Sequence, residues 1–418
     1  MKADRRGFLK SGAALAGGLT FGAAAPATGQ TPANGQTPKP EKFIKADKAL
    51  VEYGERSHFV TSVRVPHPPG PGARPSPDEF GLSFHIASPL QEQTGIITPS
   101  SLHHVATTRG AFIPDIDPKE HRLMIHGMVD RPLIFTMDDL MRLPSVTRIH
   151  FIECAGNRST PRAKTVQETH GLSSCAEWTG VLLSTLLKEA GVKGGATWIL
   201  AEGNEEVKGT SSIPMAKAMD DAFVAYGMNG EPVRPQQGFP LRLMVPGFEG
   251  IFHTKYLRRI KVVDTYYTNY NEYGHLRQDA KDAALGYQIG PKSVITFPSG
   301  TQQLPGKGTY EISGLAWSGG GAIKTVEVST DGGKKWNRAE LKMTPQRMAH
   351  VRFAYQWNWD GNETELLSRA TDEIGQQQPM LQQIADFFKK PVGYVPGLNN
   401  SIMPWKIAKD GKVTNGLA

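Results

Sequence analysis

The residue with the clearest capacity for chemistry is Cys154, in the segment Phe151-Ile-Glu-Cys-Ala-Gly-Asn-Arg158. An apolar strand leads into it, and a loop containing Gly156 and Asn157 follows. A thiolate at this position would be partly shielded from water, and flanking backbone amides and Arg158 would lower its pKa. Soft thiolates bind copper(I), zinc, iron–sulfur centres and molybdenum. The segment therefore makes Cys154 a candidate metal ligand.

The residue types alone allow other roles for this cysteine. A buried cysteine often serves as a small hydrophobic side chain. Cys175 is the other cysteine of the sequence, so a Cys154–Cys175 disulfide is an alternative. His150, Cys154, His170 and Cys175 have zinc-binding chemistry, although their spacings fit no CxxC or HxxxH pattern. A thiol nucleophile beside a histidine base is a further alternative, and these readings stay open at this point.

The elements around Cys154 follow from hydrophobic periodicity. Arg148–Ile152 reads as a strand that runs into Cys154. Thr136 is placed to N-cap a short helix through Leu143. Trp178–Ala190 is predicted as a helix with its leucines on one face, ended near Gly191. Further strands are expected in three segments, namely Arg122–Val129, Thr197–Ala201 and Leu241–Val245.

The pattern changes near residue 290, where short β runs separated by turn residues begin. This spacing predicts a small β-sandwich. We expect a mixed α+β domain of roughly 250 residues followed by an all-β domain of roughly 120 residues. The predicted boundaries are 46–288 and 289–418.

The N-terminus reads as an export signal. Arg5-Arg6-Gly7-Phe8-Leu9-Lys10 is a twin-arginine consensus, and the weakly apolar run Ser11–Ala25 follows it. Small residues at Ala25-Pro26-Ala27 offer a cleavage site, so we predict a signal peptide over 1–27 and a Pro/Gln/Thr/Gly linker over 28–45. Twin-arginine export carries folded proteins, which suits an enzyme that receives a cofactor in the cytoplasm and acts in the periplasm.

The overall charge argues against nucleic acid as a partner. The formal net charge is +7, and no block of Lys and Arg is interleaved with aromatic residues. The apolar run of the signal is too short to span a bilayer, so no membrane span is expected in the mature chain.

Several motifs resemble those of one enzyme family. Glu153-Cys-Ala-Gly-Asn-Arg158 is similar to the cofactor-cysteine motif of the sulfite oxidase family of molybdoenzymes. The resemblance continues in order through Glu177-Trp178-Thr-Gly180, Ala225-Tyr226-Gly-Met-Asn229-Gly230-Glu-Pro232, Gly238-Phe239-Pro-Leu-Arg242 and Lys255-Tyr-Leu-Arg-Arg-Ile260. Trp357-Asn-Trp359 and Ser368-Arg-Ala-Thr-Asp372 resemble the family's immunoglobulin-like dimerisation domain. Within the family, the chain most resembles the sulfane dehydrogenases and periplasmic sulfite dehydrogenases. This closer resemblance is carried by Ile97-Thr-Pro99, Pro114-Asp-Ile-Asp117 and Phe248-Glu-Gly-Ile-Phe-His-Thr-Lys255.

The resemblance implies a fold and a cofactor. The fold is a sulfite-oxidase-type molybdopterin-binding α+β domain followed by an immunoglobulin-like β-sandwich that forms a homodimer. The cofactor is molybdenum with one pyranopterin, and Cys154 would be its sole protein ligand. Gln237, Arg242, His253 and Lys255 match positions that bind the pterin and its anionic phosphate, for which a cationic cluster is suited. Apart from the resemblance, Arg242 and Lys255 have an ordinary alternative as solvated strand charges.

The resemblance also implies catalytic roles. Arg109 matches the family's arginine that faces the substrate oxyanion, and Tyr273 matches its active-site tyrosine. Three departures change the substrate end: Ser159 replaces an arginine, Ser174 replaces a tryptophan, and Pro396 aligns with a further arginine. We expect a more open or less cationic pocket, suited to a sulfane or sulfonate on a carrier thiol better than to free sulfite.

The function implied is periplasmic, molybdenum-dependent oxidation of a sulfur substrate. No Cys-x-x-Cys-His haem motif occurs in the sequence, so we expect a separate c-type cytochrome to accept the electrons, with a sulfur-carrier protein as a further partner. One alternative is a periplasmic sulfoxide reductase of the same superfamily, whose members lack the C-terminal β domain. The other is a periplasmic binding module in which Cys154 is a core residue.

Overall fold

The structure is a computed structural model. It describes residues 56–57, 59–66, 84–107, 113–157, 160–205, 209–267, 287–389, 391 and 400–417. The predicted signal peptide and linker lie outside the described residues and stay predictions.

Three sheets form the part of the fold that precedes residue 290. A small antiparallel sheet contains β1 (Val65–Pro66), β2 (Phe84–Ala87) and β3 (Val105–Thr107). The sheet that leads to Cys154 has the order β11-β10-β7-β6, with β12 also paired to β10. Its strands are β6 (Ser145–Glu153), β7 (Ser173–Leu182), β10 (Phe223–Met228), β11 (Glu231–Pro232) and β12 (Arg242–Met244). The third sheet has the order β5-β4-β13-β8-β9, with the β4–β13 pair parallel. Its strands are β4 (Leu123–Gly127), β5 (Leu133–Phe135), β8 (Trp198–Gly203), β9 (Thr210–Pro214) and β13 (Leu257–Val263).

Two further sheets form the C-terminal β-sandwich, as the turn spacing predicted. One has the order β14-β15-β19-β18 and the other β17-β16-β20-β21-β22. The first contains β14 (Lys292–Phe297), β15 (Gly308–Trp317), β18 (Glu340–Leu341) and β19 (Val351–Trp359). The second contains β16 (Ile323–Ser329), β17 (Asn337–Arg338), β20 (Thr364–Asp372), β21 (Trp405–Ile407) and β22 (Val413–Asn415).

Short helices connect and cover the sheets. They are α1 (Met137–Arg142), α2 (Val166–His170), α3 (Leu183–Ala190), α4 (Met215–Asp220) and α5 (Leu381–Phe388). Single 3-10 turns occupy Leu90–Glu92, Pro235–Gln237 and Gly250–Phe252. In the part of the chain that the structure describes, no helix is long and apolar enough to cross a membrane.

Some boundaries match the sequence and others differ. Thr136 caps α1 as predicted, and its side chain accepts from the amide of Asp139 in a capping box. The helix predicted over Trp178–Ala190 is wrong in its first part, because residues up to Leu182 pair with β6 and β10 as strand β7. The helix α5 also corrects the expectation that the region after residue 290 is all-β.

A shared hydrophobic core joins the two parts of the described chain. Phe151 of β6 and Cys175 of β7 belong to the same buried cluster as Trp317, Phe353 and other sandwich residues. Phe151 pairs directly with Cys175 across the β6–β7 ladder. The sandwich therefore packs against the strand that ends at Cys154.

The β7–β10 pairing predicts a strict requirement for glycine at position 180. A Cβ there would lie 2.0 Å from the carbonyl oxygen of Val224 and 2.7 Å from Cα of Ala225. We expect Gly180→Ala to lower the free energy of unfolding by about 1–3 kcal/mol, since the strands must move apart. Gly194→Ala is the matched control, because its Cβ meets nothing within 4 Å and its effect should stay within about 0.5 kcal/mol. Urea unfolding measures both, and equal stabilities would contradict the close approach.

Candidate functional site

The Cys154 loop begins where β6 ends and is tied to the neighbouring strand. The amide of Cys154 donates to the carbonyl of Leu172 at 3.0 Å, and the amide of Asn157 donates to the carbonyl of Cys154 at 2.9 Å. The side-chain oxygen of Asn157 accepts from the amide of Leu172 at 2.9 Å. Both ends of the loop 154–157 are therefore anchored to one residue beside β7, while the Cys154 side chain keeps partial exposure.

The protonation of Cys154 differs from the expectation. Burial raises the pKa of the Cys154 thiol to about 12, and the charges of Glu249 and Glu153 act in the same direction. The Gly156 amide and Lys292 lower that pKa by less. The prediction of a lowered pKa is wrong because desolvation outweighs the local amide, while Arg158 lies outside the described residues. A thiolate at this position requires a strong cation beside it, and a coordinated metal ion deprotonates a thiol.

The structure does not bring together the residues that a Cys154–Cys175 disulfide or a zinc site would need. Cys154 and Cys175 are both free, and Cys175 is buried among the hydrophobic residues around Phe151. Within the described ranges, no group of three or more His, Cys, Asp or Glu side chains is placed to hold a metal ion. A metal held by Cys154 would therefore need its other ligands from outside these side chains.

A buried cation lies at a second position. Arg242 of β12 is 3% exposed, and Nη1 donates to the backbone oxygen of Gln237 at 2.9 Å and to its side-chain oxygen at 3.3 Å. The guanidinium lies 4.9 Å from the ring centroid of Trp178. Its Nε has no hydrogen-bond partner among the residues that the structure describes. Burial lowers the pKa of Arg242 to about 9, so an anion bound here would offset the cost of the buried charge.

Gln237 contacts this arginine, and Lys255 lies beside the turn that contains Gln237, while their predicted binding of a cofactor stays a prediction. The side-chain nitrogen Nε2 of Gln237 donates to the carbonyl of His104 at 2.8 Å, and Lys255 Nζ donates to the carbonyl of Gln236 at 3.3 Å. Gly238 has φ of 108°, and a Cβ at that position would lie 2.9 Å from Cβ of Lys255. Glycine is needed there for both conformation and space. Gln237, Arg242 and Lys255 therefore form one cluster, which we call the cationic cluster.

His253 contributes to the site in a different way. Its Nδ1 accepts from the amide of Val245 at 3.3 Å, and its Nε2 lies 3.2 Å from the carbonyl of Phe248 as a donor. Burial, reinforced by the charge of Arg242, holds the pKa of His253 well below its usual range, so the ring is neutral. The ring therefore fixes the turn Val245–Phe248. Its predicted contact with a cofactor stays a prediction.

One segment connects the thiol to the cationic cluster. Residues 242–255 begin with Arg242 and end with Lys255. The charge of Glu249, which lies within this segment, raises the pKa of Cys154. Gly250 packs against the strand end, since a Cβ there would lie 2.9 Å from the carbonyl oxygen of Glu153. This segment thus starts and ends at the cationic cluster and, between these ends, packs against the end of the strand that leads to Cys154.

A histidine pair beside the cationic cluster was not predicted. The rings of His103 and His104 stack with centroids 5.0 Å apart, and His103 meets the edge of Trp178. Nδ1 of His104 lies 2.9 Å from the hydroxyl of Ser174, which also accepts from the amide of His104. Burial lowers the pKa of His103 to about 3, and the charge of Arg242 adds to this effect. No motif in the sequence predicted a role for these histidines, because their partners are residues of β7 and residues far along the chain.

Ser174 also corrects part of the pocket prediction. Its side chain is fully buried, and its hydroxyl is engaged by His104. It therefore lies beneath the histidine pair and does not form the wall of an open pocket. The remaining predicted substrate residues, Arg109, Tyr273, Ser159 and Pro396, lie outside the described residues.

The comparisons with known proteins fit this arrangement. Residues 110–271 match the family described as oxidoreductase molybdopterin binding domain, and residues 284–387 match the Mo-co oxidoreductase dimerisation domain. The chain is 33% identical over 324 residues to mitochondrial sulfite oxidase of Rattus norvegicus, covering 68% of this chain and 57% of that protein. It is 32% identical over 332 residues to NADH nitrate reductase of Volvox carteri, covering 69% of this chain and 38% of that protein. The chain thus spans less than two thirds of the length of either relative.

A solved structure resembles nearly the whole chain. It is the sulfane dehydrogenase SoxCD from Paracoccus pantotrophus, with a TM-score of 0.79 and 35% sequence identity. The match covers 92% of this chain and 99% of that chain.

The site predicts that molybdenum binding depends on one cysteine and not on the other. Protein purified after expression with molybdenum should contain about one molybdenum per chain, and Cys154→Ser should lose it because a hydroxyl is a poor soft-metal ligand. Cys175→Ser is the matched control, since Cys175 is buried among core residues. Elemental analysis measures both variants. Retention of molybdenum in Cys154→Ser, or its loss in both variants, would count against the assignment.

Proposed function

We propose that this chain, which belongs to the sulfite oxidase family of molybdopterin oxidoreductases, oxidises a small sulfur substrate. The observation that carries the proposal is the presence of two groups on segments that meet where Gly250 packs against the end of β6. One is the thiol of Cys154 at the end of β6, and the other is the buried guanidinium of Arg242 with Nε unbonded in the described chain. A thiol suited to a soft metal and a cation suited to a phosphate are the two groups that a metal–pterin phosphate cofactor requires.

The described residues fit molybdenum carried by one pyranopterin. Cys154 would ligate the metal, while Arg242 and Lys255 would hold the anionic end and Gln237 would hydrogen-bond the pterin. When bound, the cofactor supplies two-electron redox chemistry together with an exchangeable oxygen. The protein supplies fixed positions for both ends, because backbone hydrogen bonds hold Gln237 and His253 at one end and the loop of Cys154 at the other. Preorganised groups of this kind need little rearrangement during reaction.

Two further residues are assigned to the substrate end. Arg109 would stabilise negative charge that develops on the substrate oxygen, a term of large weight in a site shielded from water. Tyr273 would donate a hydrogen bond or relay a proton. Both assignments rest on the resemblance of their sequence motifs and stay predictions.

The substrate proposed is a sulfane or sulfonate carried on a protein thiol. Support comes from Ser159 and Pro396, which stand where arginines are found in animal sulfite oxidases and would weaken the grip on a free dianion. The similar solved chain is named a sulfane dehydrogenase, which agrees with this substrate class. Because Ser174 is buried beneath His104, the argument depends on lost charge and not on a wider pocket.

We infer one partner from the electrons that the oxidation releases and another from the match to a dimerisation domain. Oxidation releases two electrons, which a c-type cytochrome would accept one at a time. The β-sandwich matches a dimerisation domain, so we propose a homodimer through the C-terminal part. The twin-arginine motif supports assembly with cofactor in the cytoplasm and action in the periplasm.

The substrate assignment predicts a preference measurable in steady-state kinetics. With ferricyanide as acceptor, kcat/KM for a thiol-bound sulfane on a carrier protein should exceed that for sulfite by at least about tenfold. The same carrier without the sulfane sulfur is the control. Efficient turnover of free sulfite with low KM would refute the substrate preference, and rapid reduction of oxygen by the isolated chain would refute the need for a separate acceptor.

The export assignment predicts dependence on the paired arginines. Replacing both, as Arg5→Lys with Arg6→Lys, should leave the folded, molybdenum-containing protein in the cytoplasm, because the twin-arginine pathway reads this pair. Lys10→Arg is the control, since it changes a nearby cation without changing the pair. Cell fractionation measures the result. Equal periplasmic amounts of all three proteins would contradict the proposed route.

A further inference from the structure

A buried carboxylate stands one residue before the candidate metal ligand. Glu153 is 1% exposed, and its oxygens accept from donors in two parts of the fold. Oε1 accepts from Asn157 Nδ2 at 2.9 Å and from Lys292 Nζ. Oε2 accepts from Trp317 Nε1 at 2.6 Å. Both oxygens are therefore occupied, and the charge is paired with a lysine that is itself 3% exposed.

The two donors from the sandwich are neighbours on one strand pair. Lys292 begins β14, Trp317 ends β15, and the two residues are directly paired in the antiparallel register. Their strand pair continues into the buried core through Val294 and Leu315. The position of both donors is consequently set by the packing of the C-terminal sandwich.

Lys292 also contacts the far end of the cysteine loop. Its Nζ donates to the backbone oxygen of Asn157 at 2.9 Å, in addition to the carboxylate of Glu153. The loop 154–157 is thus bracketed by one ammonium group, before it at Glu153 and at its end at Asn157. Since the Asn157 amide bonds the Cys154 carbonyl, the restraint reaches the backbone of the cysteine itself.

We propose that Lys292 is a positioning residue for Cys154, so that the C-terminal sandwich sets the geometry of the metal-ligand loop as well as matching a dimerisation domain. The identity of the ligated metal rests on the proposed function, whereas the restraint on the loop does not. Residues that orient a metal ligand without touching the metal commonly change metal affinity by about 10–100-fold. Lys292 is suited to this role because its three N–H donors can bond several loop oxygens at once.

The variants separate positioning from general stability. Lys292→Met removes the charge and both loop contacts, and it leaves the Glu153 carboxylate buried without its cation. Lys292→Arg keeps the charge and the donors. The double variant Glu153→Gln with Lys292→Met contains no unpaired buried charge, so it tests the loop even if Lys292→Met fails to fold. Arg369→Met is the matched control, because it breaks the 2.8 Å Arg369–Glu327 pair elsewhere in the sandwich.

Two measurements on the full chain test the proposal. The first is molybdenum and pterin content, together with the Mo(V) electron paramagnetic resonance spectrum of the loaded fraction. The second is hydrogen–deuterium exchange of a peptide covering residues 152–158 in protein produced without the cofactor. The second measurement does not depend on the metal. If the proposed function is wrong, the wild-type protein will contain no molybdenum, and hydrogen–deuterium exchange will still report on the restraint of the loop.

We expect Lys292→Met and the double variant to lose at least about tenfold in molybdenum content and to show an altered Mo(V) spectrum in what remains. Exchange in peptide 152–158 should be faster in both, and Lys292→Arg should restore wild-type values in each measurement. Arg369→Met should match wild type. A folded double variant with wild-type exchange, molybdenum content and spectrum would overturn the proposal, and so would equal changes in Arg369→Met.

Discussion

The Glu153 carboxylate, buried one residue before Cys154, requires compensation that the cysteine loop alone does not provide. An ionised carboxylate out of water is costly unless it is paired and hydrogen-bonded. Lys292 and Trp317 supply that compensation from the first strand pair of the sandwich, and Asn157 supplies the rest from the loop. The loop geometry and the contact between the two halves of the described chain therefore depend on the bonds made by this carboxylate, in addition to the hydrophobic core that the two halves share.

The site contains two groups that favour ligands of opposite charge. The raised pKa of Cys154 means that its thiolate form needs a cation, and the lowered pKa of Arg242 means that its charged form gains from an anion. A metal joined to a phosphate-bearing organic group satisfies both at once. The neutral ring of His253 braces the segment 242–255 through its hydrogen bonds to Val245 and Phe248.

Much of this arrangement follows from sequence, and the exceptions have physical causes. The helix capped by Thr136 and the sandwich strands were predicted because capping and periodicity are local properties. The start of α3 was misplaced because pairing of Trp178 with β6 and β10 overrides a helical leucine pattern. The pKa of Cys154 was predicted in the wrong direction because Glu249 and the depth of burial depend on the tertiary fold. The hydrogen bond between Ser174 and His104 gave no signal in the sequence, since the two residues are 70 positions apart.

The central claim is that Cys154 ligates molybdenum at the end of a loop fixed by the sandwich. X-ray absorption at the molybdenum edge of the purified full chain tests it most directly. The account predicts a sulfur ligand in addition to the pair supplied by the pyranopterin dithiolene, and the same coordination in Cys175→Ser. A wild-type protein in which the two pterin sulfurs are the only sulfur ligands of molybdenum would contradict it.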